Sequence, residues 1–118
     1  MIINLMKGIT MRTYKLLLPI LSALLAFPAI AQADDYVLTL KDHQFTPREL
    51  VLPANQKVKL IVKNEQSTSA EFESADLDRE KAIEPGGQIT VFLGPVDPGT
   101  YGYFDDFHRE TTGTITFK

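Results

Sequence analysis

The residues best suited to chemistry lie near the end of the chain, where aromatic side chains lead into acids and a histidine. Tyr101 and Tyr103 lie two residues apart, and the period of two in a β-strand puts Asp105 on the same face. We predict that this face points inward, with Asp105 at the end of the strand and His108 in the following loop. An inward carboxylate is costly unless it is neutralised, hydrogen-bonded or metal-bound, and imidazole is a common metal ligand. The pattern therefore predicts a metal site built on Asp105 and His108.

Two further carboxylates are candidates for the same site. Glu71 and Glu73 flank Phe72, so in a strand their side chains point to the face opposite that of this core aromatic residue. We expect both near the same end of the fold as Asp105 and His108. Oxygen donors with one imidazole suit iron(III), manganese or oxidised copper better than copper(I). The alternative is that the acids of these loops are solvated charges, which we expect for Asp106 and Glu110. His43, just before Phe45-x-Pro47, is a weaker candidate close to the same end of the fold, and we expect this lone loop histidine to be solvated.

Several kinds of site are excluded by composition. The chain has no cysteine, so it forms neither disulfides nor a copper–thiolate centre. No segment resembles a nucleophile–histidine–acid arrangement, and with two histidines and no cysteine hydrolase chemistry has little to build on. A glycine-rich phosphate loop is also absent, because Pro85-Gly86-Gly87 reads as a turn.

The first 33 residues have the pattern of an export signal. Basic residues precede an apolar run at 16–30, which ends in the small-x-small sequence Ala31-Gln32-Ala33. The run contains two prolines and is short for a membrane span, although an uncleaved anchor is the alternative. We predict a signal peptide at 1–33, a mature domain at 34–118, and export to the periplasm.

The charge of the mature chain bears on its partners. All 15 acidic residues but only 9 of the 12 Lys and Arg follow Ala33, which gives the mature chain a formal charge of −6. This charge argues against nucleic acid, DNA included, and against anionic membranes, and it favours cations or basic proteins.

Short strands separated by turns predict the fold. Alternating or short apolar segments are found at 36–40, 49–52, 57–63, 70–74 and 88–93, and a strand–loop–strand at 101–118 closes the chain. We expect the lysines of 57–63 to protect a sheet edge and Phe45-Thr46-Pro47 to interrupt pairing. Segment 75–83 reads as either a helical turn or irregular chain. The prediction is an all-β Greek-key sandwich or barrel.

The order of these segments resembles the cupredoxin family. The resemblance is carried by Phe45-x-Pro47, by Asn64 before a polar loop, by Pro98-Gly-Thr-Tyr101 and by the closing loop. In the family pattern Asp105 stands at the cysteine ligand and His108 at the following histidine ligand. Ala70 stands at the first histidine ligand, and there is no methionine after His108. The resemblance therefore implies a cupredoxin-like fold without an ordinary blue-copper centre.

A narrower resemblance points to iron. The segments Glu71-Phe-Glu-Ser74, Leu77-Asp-Arg-Glu-Lys81 and Tyr103-Phe-Asp-Asp-Phe-His108 are similar to small periplasmic cupredoxin-like proteins of bacterial iron uptake and to the cupredoxin domain of EfeO-type proteins. This resemblance implies binding of iron and/or copper beside an inner-membrane iron permease and a companion periplasmic iron-binding protein. It leaves open a ferroxidase component or a metal carrier. Two alternatives are a periplasmic copper chaperone or tolerance protein and a metal-free interaction module.

Overall fold

The structure, a computed structural model, describes residues 35–118, and the predicted signal peptide lies outside them. The described chain forms nine strands: β1 Tyr36–Lys41, β2 Gln44–Thr46, β3 Glu49–Leu52, β4 Val58–Asn64, β5 Ala70–Ser74, β6 Arg79–Ile83, β7 Gln88–Leu93, β8 Gly99–Asp105 and β9 His108–Phe117. No helix within this range is long and apolar enough to cross a membrane.

The strands form two sheets that face each other. One sheet has the order β2-β1-β4-β7, and the other has the order β3-β9-β8-β5-β6. Strand β1 runs parallel to β4 and β3 runs parallel to β9, whereas the other paired strands are antiparallel. Neighbours that are distant in sequence are typical of Greek-key connections. The predicted all-β Greek-key β-sandwich is confirmed.

Alternation along the strands builds the core between the sheets. In β4, Val58, Leu60 and Val62 are buried while Lys59 between them is exposed. Two aromatic rings pack against Tyr103 in this core: that of Phe45 edge-on, and that of Phe72 at a centroid distance of 5.4 Å. The Tyr103 hydroxyl donates to the backbone carbonyl of Arg48, and burial raises the pKa of this phenol above its usual range.

The structure corrects three expectations about individual strands, one of them in part. The lysines of 57–63 do not protect an edge, because β4 lies between β1 and β7 and its lysines point away from the core. Pairing is interrupted at Pro47, as expected, but Phe45 and Thr46 before it pair with β1. Segment 75–83 is neither helical nor irregular throughout, because 79–83 pairs with β5 as an edge strand.

Candidate metal centre

Asp105 lies at the end of β8 and is 1% exposed, so the predicted inward orientation is correct. One carboxylate oxygen, Oδ1, accepts hydrogen bonds from the backbone N–H of Glu71 at 2.9 Å and from that of Phe107 at 3.0 Å. These two hydrogen bonds offset part of the free-energy cost of burying the carboxylate. Asp105 joins β5 to the tip of the β8–β9 hairpin, and its role as a metal ligand stays a prediction.

His108 opens β9, and its ring is held through Nδ1. This atom lies 2.9 Å from Thr111 Oγ1 and 3.0 Å from Glu110 Oε2. The Thr111 hydroxyl donates its single proton to the backbone carbonyl of His43 at 2.8 Å, so it must accept a proton from His108. Nδ1 of His108 therefore carries the hydrogen, and in the neutral ring Nε2 keeps a free lone pair. A metal-binding histidine is usually oriented in this way, with its other nitrogen donating to a fixed acceptor.

His43 lies beside His108, although it was expected to be a solvated loop residue. The two rings stack with their centroids 3.9 Å apart and an interplanar angle of 14°. His43 belongs to the β1–β2 turn in one sheet and His108 to β9 in the other. The sequence placed His43 close to this end of the fold but did not predict the contact with His108, because no local pattern shows which side chains of the two sheets meet.

Glu71 and Glu73 meet a third carboxylate, that of Asp106, on the outer face of the five-stranded sheet. The three side chains can place one oxygen each within 4.8 Å of one another. Asp106 is brought to β5 by its backbone N–H, which donates to the Glu71 carbonyl at 2.9 Å. The pKa of Glu71 is raised by partial burial and, to a lesser extent, by the neighbouring carboxylate of Glu80. The pKa of Glu73 is raised in the same way, by partial burial and by the carboxylate of Asp106. The local field therefore disfavours full ionisation and favours a cation.

One cation of the chain already reaches this group. Arg109 Nη2 lies 2.6 Å from Asp106 Oδ1, and the guanidinium lies over the ring of Phe104. The positive charge of Arg109 lowers the pKa of Glu73, although this is the smallest of the influences on it.

The four residues predicted to form one site do not lie in one group of donors. Glu71 and Glu73 lie with Asp106 on the outer face of the sheet. Among residues 35–118, neither Asp105 nor His108 joins this group with a donor atom within the same distance. Asp106, expected to be a solvated charge, is 26% exposed and joins the acidic group. The assignment of Asp105, His108, Glu71 and Glu73 as metal ligands remains a prediction.

Solved proteins with the same sandwich define the class. Auracyanin from Roseiflexus castenholzii superposes with a TM-score of 0.60 at 15% identity, over 75% of this chain and 99% of that one. Amicyanin from Paracoccus versutus gives a TM-score of 0.60 at 14% identity, over 75% and 85% of the two chains. A purple cupredoxin from Nitrosopumilus maritimus gives 0.55 at 16% identity, over 73% and 100%. At these identities the likeness establishes the cupredoxin fold alone.

The family follows from the sequence itself. The model of the cupredoxin-like domain matches residues 15–117, and the chain belongs to this family. An uncharacterized protein of Rickettsia prowazekii (strain Madrid E) is 45% identical over 74 residues, which cover 63% of this chain and 59% of that protein. The chain thus spans less than two thirds of that relative.

The residues of this chain do not fit a blue-copper centre. There is no cysteine for a thiolate ligand, and the position of the first histidine ligand is occupied by Ala70, which is fully buried. The donors that are present are imidazole and carboxylate groups. These fit oxidised copper or iron without a thiolate.

Proposed function

We propose that this chain is an exported, periplasmic metal-binding protein that binds copper and/or iron through imidazole and carboxylate donors and takes part in ferrous-iron uptake. The observation that carries the proposal is the orientation of His108, whose Nδ1–H is held by Thr111 and whose Nε2 is left free for a ligand. Membership of the cupredoxin-like family supports copper as one cation.

The iron part of the proposal is supported by different residues. Glu71, Glu73 and Asp106 offer hard oxygen donors, which suit iron(III), and they lie in segments that resemble periplasmic iron-uptake proteins. In this role the bound copper would supply one-electron redox chemistry, while the carboxylates would hold iron as substrate or cargo. The proposed partners are an inner-membrane iron permease and a companion periplasmic iron-binding protein.

A second candidate, a metal-free interaction module, is favoured by the residues at two positions where the family has metal ligands. Asp105, at the position of the missing cysteine ligand, directs Oδ1 to two backbone N–H groups. Ala70, at the position of the missing histidine ligand, is buried in the core. Both positions serve packing and hydrogen bonding, as expected if the family's metal site had been lost.

Anaerobic calorimetric titration of the purified protein with Fe(II), and separately with Cu(II), tests the proposal. Oxygen is then admitted, and the conversion of Fe(II) to Fe(III) is followed with and without copper. We expect Glu73→Gln to weaken iron binding, whereas Asp97→Asn, which removes an exposed carboxylate at the other end of β8, should not. Copper binding without any effect on iron would leave a copper-holding protein. If neither ion binds, the metal-free module stands.

A further inference from the structure

The two histidines of this chain come together from distant segments, which their separate positions in the sequence do not suggest. Their rings stack at a centroid distance of 3.9 Å, one from each sheet of the sandwich. A stacked pair of this kind could be an accident of two exposed side chains. The backbone around His43 argues against an accident.

The backbone of His43 is fixed by bonds to two other segments. Its N–H donates to the side-chain oxygen of Gln66 at 2.8 Å, and its carbonyl accepts the Thr111 hydroxyl at 2.8 Å. Asp42 and His43 both lie in the left-handed region, with φ of 50° and 57°. Lys41 pairs with Gln44, so these two residues form the two-residue loop of the β1–β2 hairpin, in which a type I′ turn gives both residues a positive φ. The imidazole of His43 is therefore delivered to His108 by a constrained turn.

Thr111 connects the two histidines directly. Its buried hydroxyl accepts from Nδ1 of His108 and donates to the carbonyl of His43, so one side chain sets both the tautomer of His108 and the position of the turn. Glu110 also faces Nδ1 of His108, and an acceptor there makes the other nitrogen a better ligand. Among residues 35–118 no hydrogen bond engages the ring of His43.

We infer that His43 and His108 together form a two-imidazole site for a divalent transition-metal cation, with Cu(II) as the best-suited ion. This inference rests on the proposed function because it uses His108 as a ligand, and it adds His43 as the second one. Imidazole nitrogens suit copper, zinc and nickel, and divalent copper binds most tightly in that series. The remaining coordination positions are open to water or to an exchanging ligand.

The stacked rings are close enough to share an ion but must reorient to do so. In near-parallel rings the nitrogen lone pairs point side by side, whereas ligation requires both to aim at one point. The ring of His108 is held by Thr111, so the movement falls to the His43 side chain turning about its own bonds.

Solvent reaches His43 from two sides. A cavity of 310 Å³ is lined by His43, Arg48 and Glu110 among others. A second cavity, of 470 Å³, is lined by His43 together with Asp42 and Glu65. The acids Asp42, Glu65 and Glu110 outnumber Arg48 around these openings, and this balance of charge favours the entry of a cation.

Electron paramagnetic resonance of the purified protein with one equivalent of Cu(II) tests the inference, because the nitrogen hyperfine pattern counts bound imidazoles. Asn tolerates the left-handed region, so His43→Asn removes the imidazole while keeping the turn. We expect two bound imidazoles in the unaltered protein and one in His43→Asn, with a loss of Cu(II) affinity of about tenfold or more. His108→Ala should lose more, and thermal unfolding of each variant checks that the fold is kept.

The outcomes separate this inference from the function on which it rests. If His108→Ala abolishes Cu(II) binding while His43→Asn keeps the affinity and the nitrogen count, His108 is a ligand and the two-imidazole site is wrong. If neither variant changes the spectrum, both the inference and the proposed role of His108 fail. If His43→Asn changes thermal stability but not the spectrum, the ring stack is structural only, and the inference is again overturned.

Discussion

The carboxylate of Asp105 fastens β5 to the tip of the β8–β9 hairpin through the two backbone N–H groups that Oδ1 accepts. The sequence predicted its burial because the alternation of side chains between the two faces of a strand is a local property. It could not predict what satisfies the charge, since the Glu71 donor comes from a segment 34 residues away. The same limit hid the contact between His43 and His108.

Replacing Asp105 by alanine should destabilise the protein, because both backbone donors then lose their acceptor. We expect the free energy of unfolding to fall by about 2–6 kcal/mol, from about 1–3 kcal/mol for each of the two donors left unsatisfied. Asp105→Asn keeps an acceptor oxygen and should cost clearly less. Urea denaturation measures both, and equal losses in the two variants would contradict this account of Oδ1. An unchanged metal affinity in Asp105→Asn would assign the residue to the fold alone.

The acidic group makes a prediction about pH. The pKa values of Glu71 and Glu73 are raised from 4.5 in the folded state, so the folded protein binds protons more tightly than the unfolded chain. Stability therefore falls as the pH rises from 4.5 through these raised values, and the penalty persists at neutral pH.

Removing one charge of this group should relieve the penalty. We expect Glu73→Gln to raise the melting temperature at pH 7, and the gain to vanish at a pH below 4.5, where the carboxyl is protonated in both states. Differential scanning calorimetry across this range measures the effect, with Asp97→Asn as the control. A gain that is the same at both pH values would show that the ionisation of Glu73, disfavoured by burial and by the neighbouring carboxylates, is not its cause.

At the scale of elements, alternation located most strands, and its failures have physical reasons. Strand β6 was missed because four of its five residues, 79–82, are exposed, so an edge strand shows no buried alternation. The lysines of β4 predict an edge strand, and this prediction is wrong. Lys59 is exposed on the outer face of the sheet while both edges of the strand are paired. Sequence alternation reports which face is buried, and it says nothing of which strand lies alongside.

The β8–β9 hairpin that carries the candidate site depends on Gly113. Its partner across the hairpin is Tyr103, and a Cβ at Gly113 would overlap the phenol oxygen of that residue and crowd the carbonyl of Arg48. We expect Gly113→Ala to lower the free energy of unfolding by about 1–3 kcal/mol or more, as overpacking in a core does.

Gly102, on the neighbouring strand of the same hairpin, provides the control. A Cβ there would meet only a side-chain oxygen of Asp76 at 3.8 Å, an ordinary contact. Gly102→Ala should therefore change the unfolding midpoint in urea little. If the two glycines proved equally sensitive, the close approach of Tyr103 to Gly113 would not be the cause.

At the scale of the whole molecule, the sandwich brings the β1–β2 turn, the β5 strand and the β8–β9 loop together around two groups of donors. The fold and the family were predictable because they depend on the order of short strands and turns along the chain. The division of the donors into an imidazole pair and a carboxylate group could not be predicted. It depends on which ends of the two sheets meet and on the face of the sheet to which each side chain points. The proposed function assigns copper to the first group and iron to the second.

The measurement that tests this account most directly is the calorimetric affinity of the purified protein for Cu(II), compared between the unaltered chain and His108→Ala, with Asp97→Asn as the control. The orientation of His108 by Thr111 predicts binding that His108→Ala weakens by tenfold or more and that Asp97→Asn leaves unchanged. Equal affinity in all three proteins, or no binding in any of them, would contradict the proposal that this loop is a metal site.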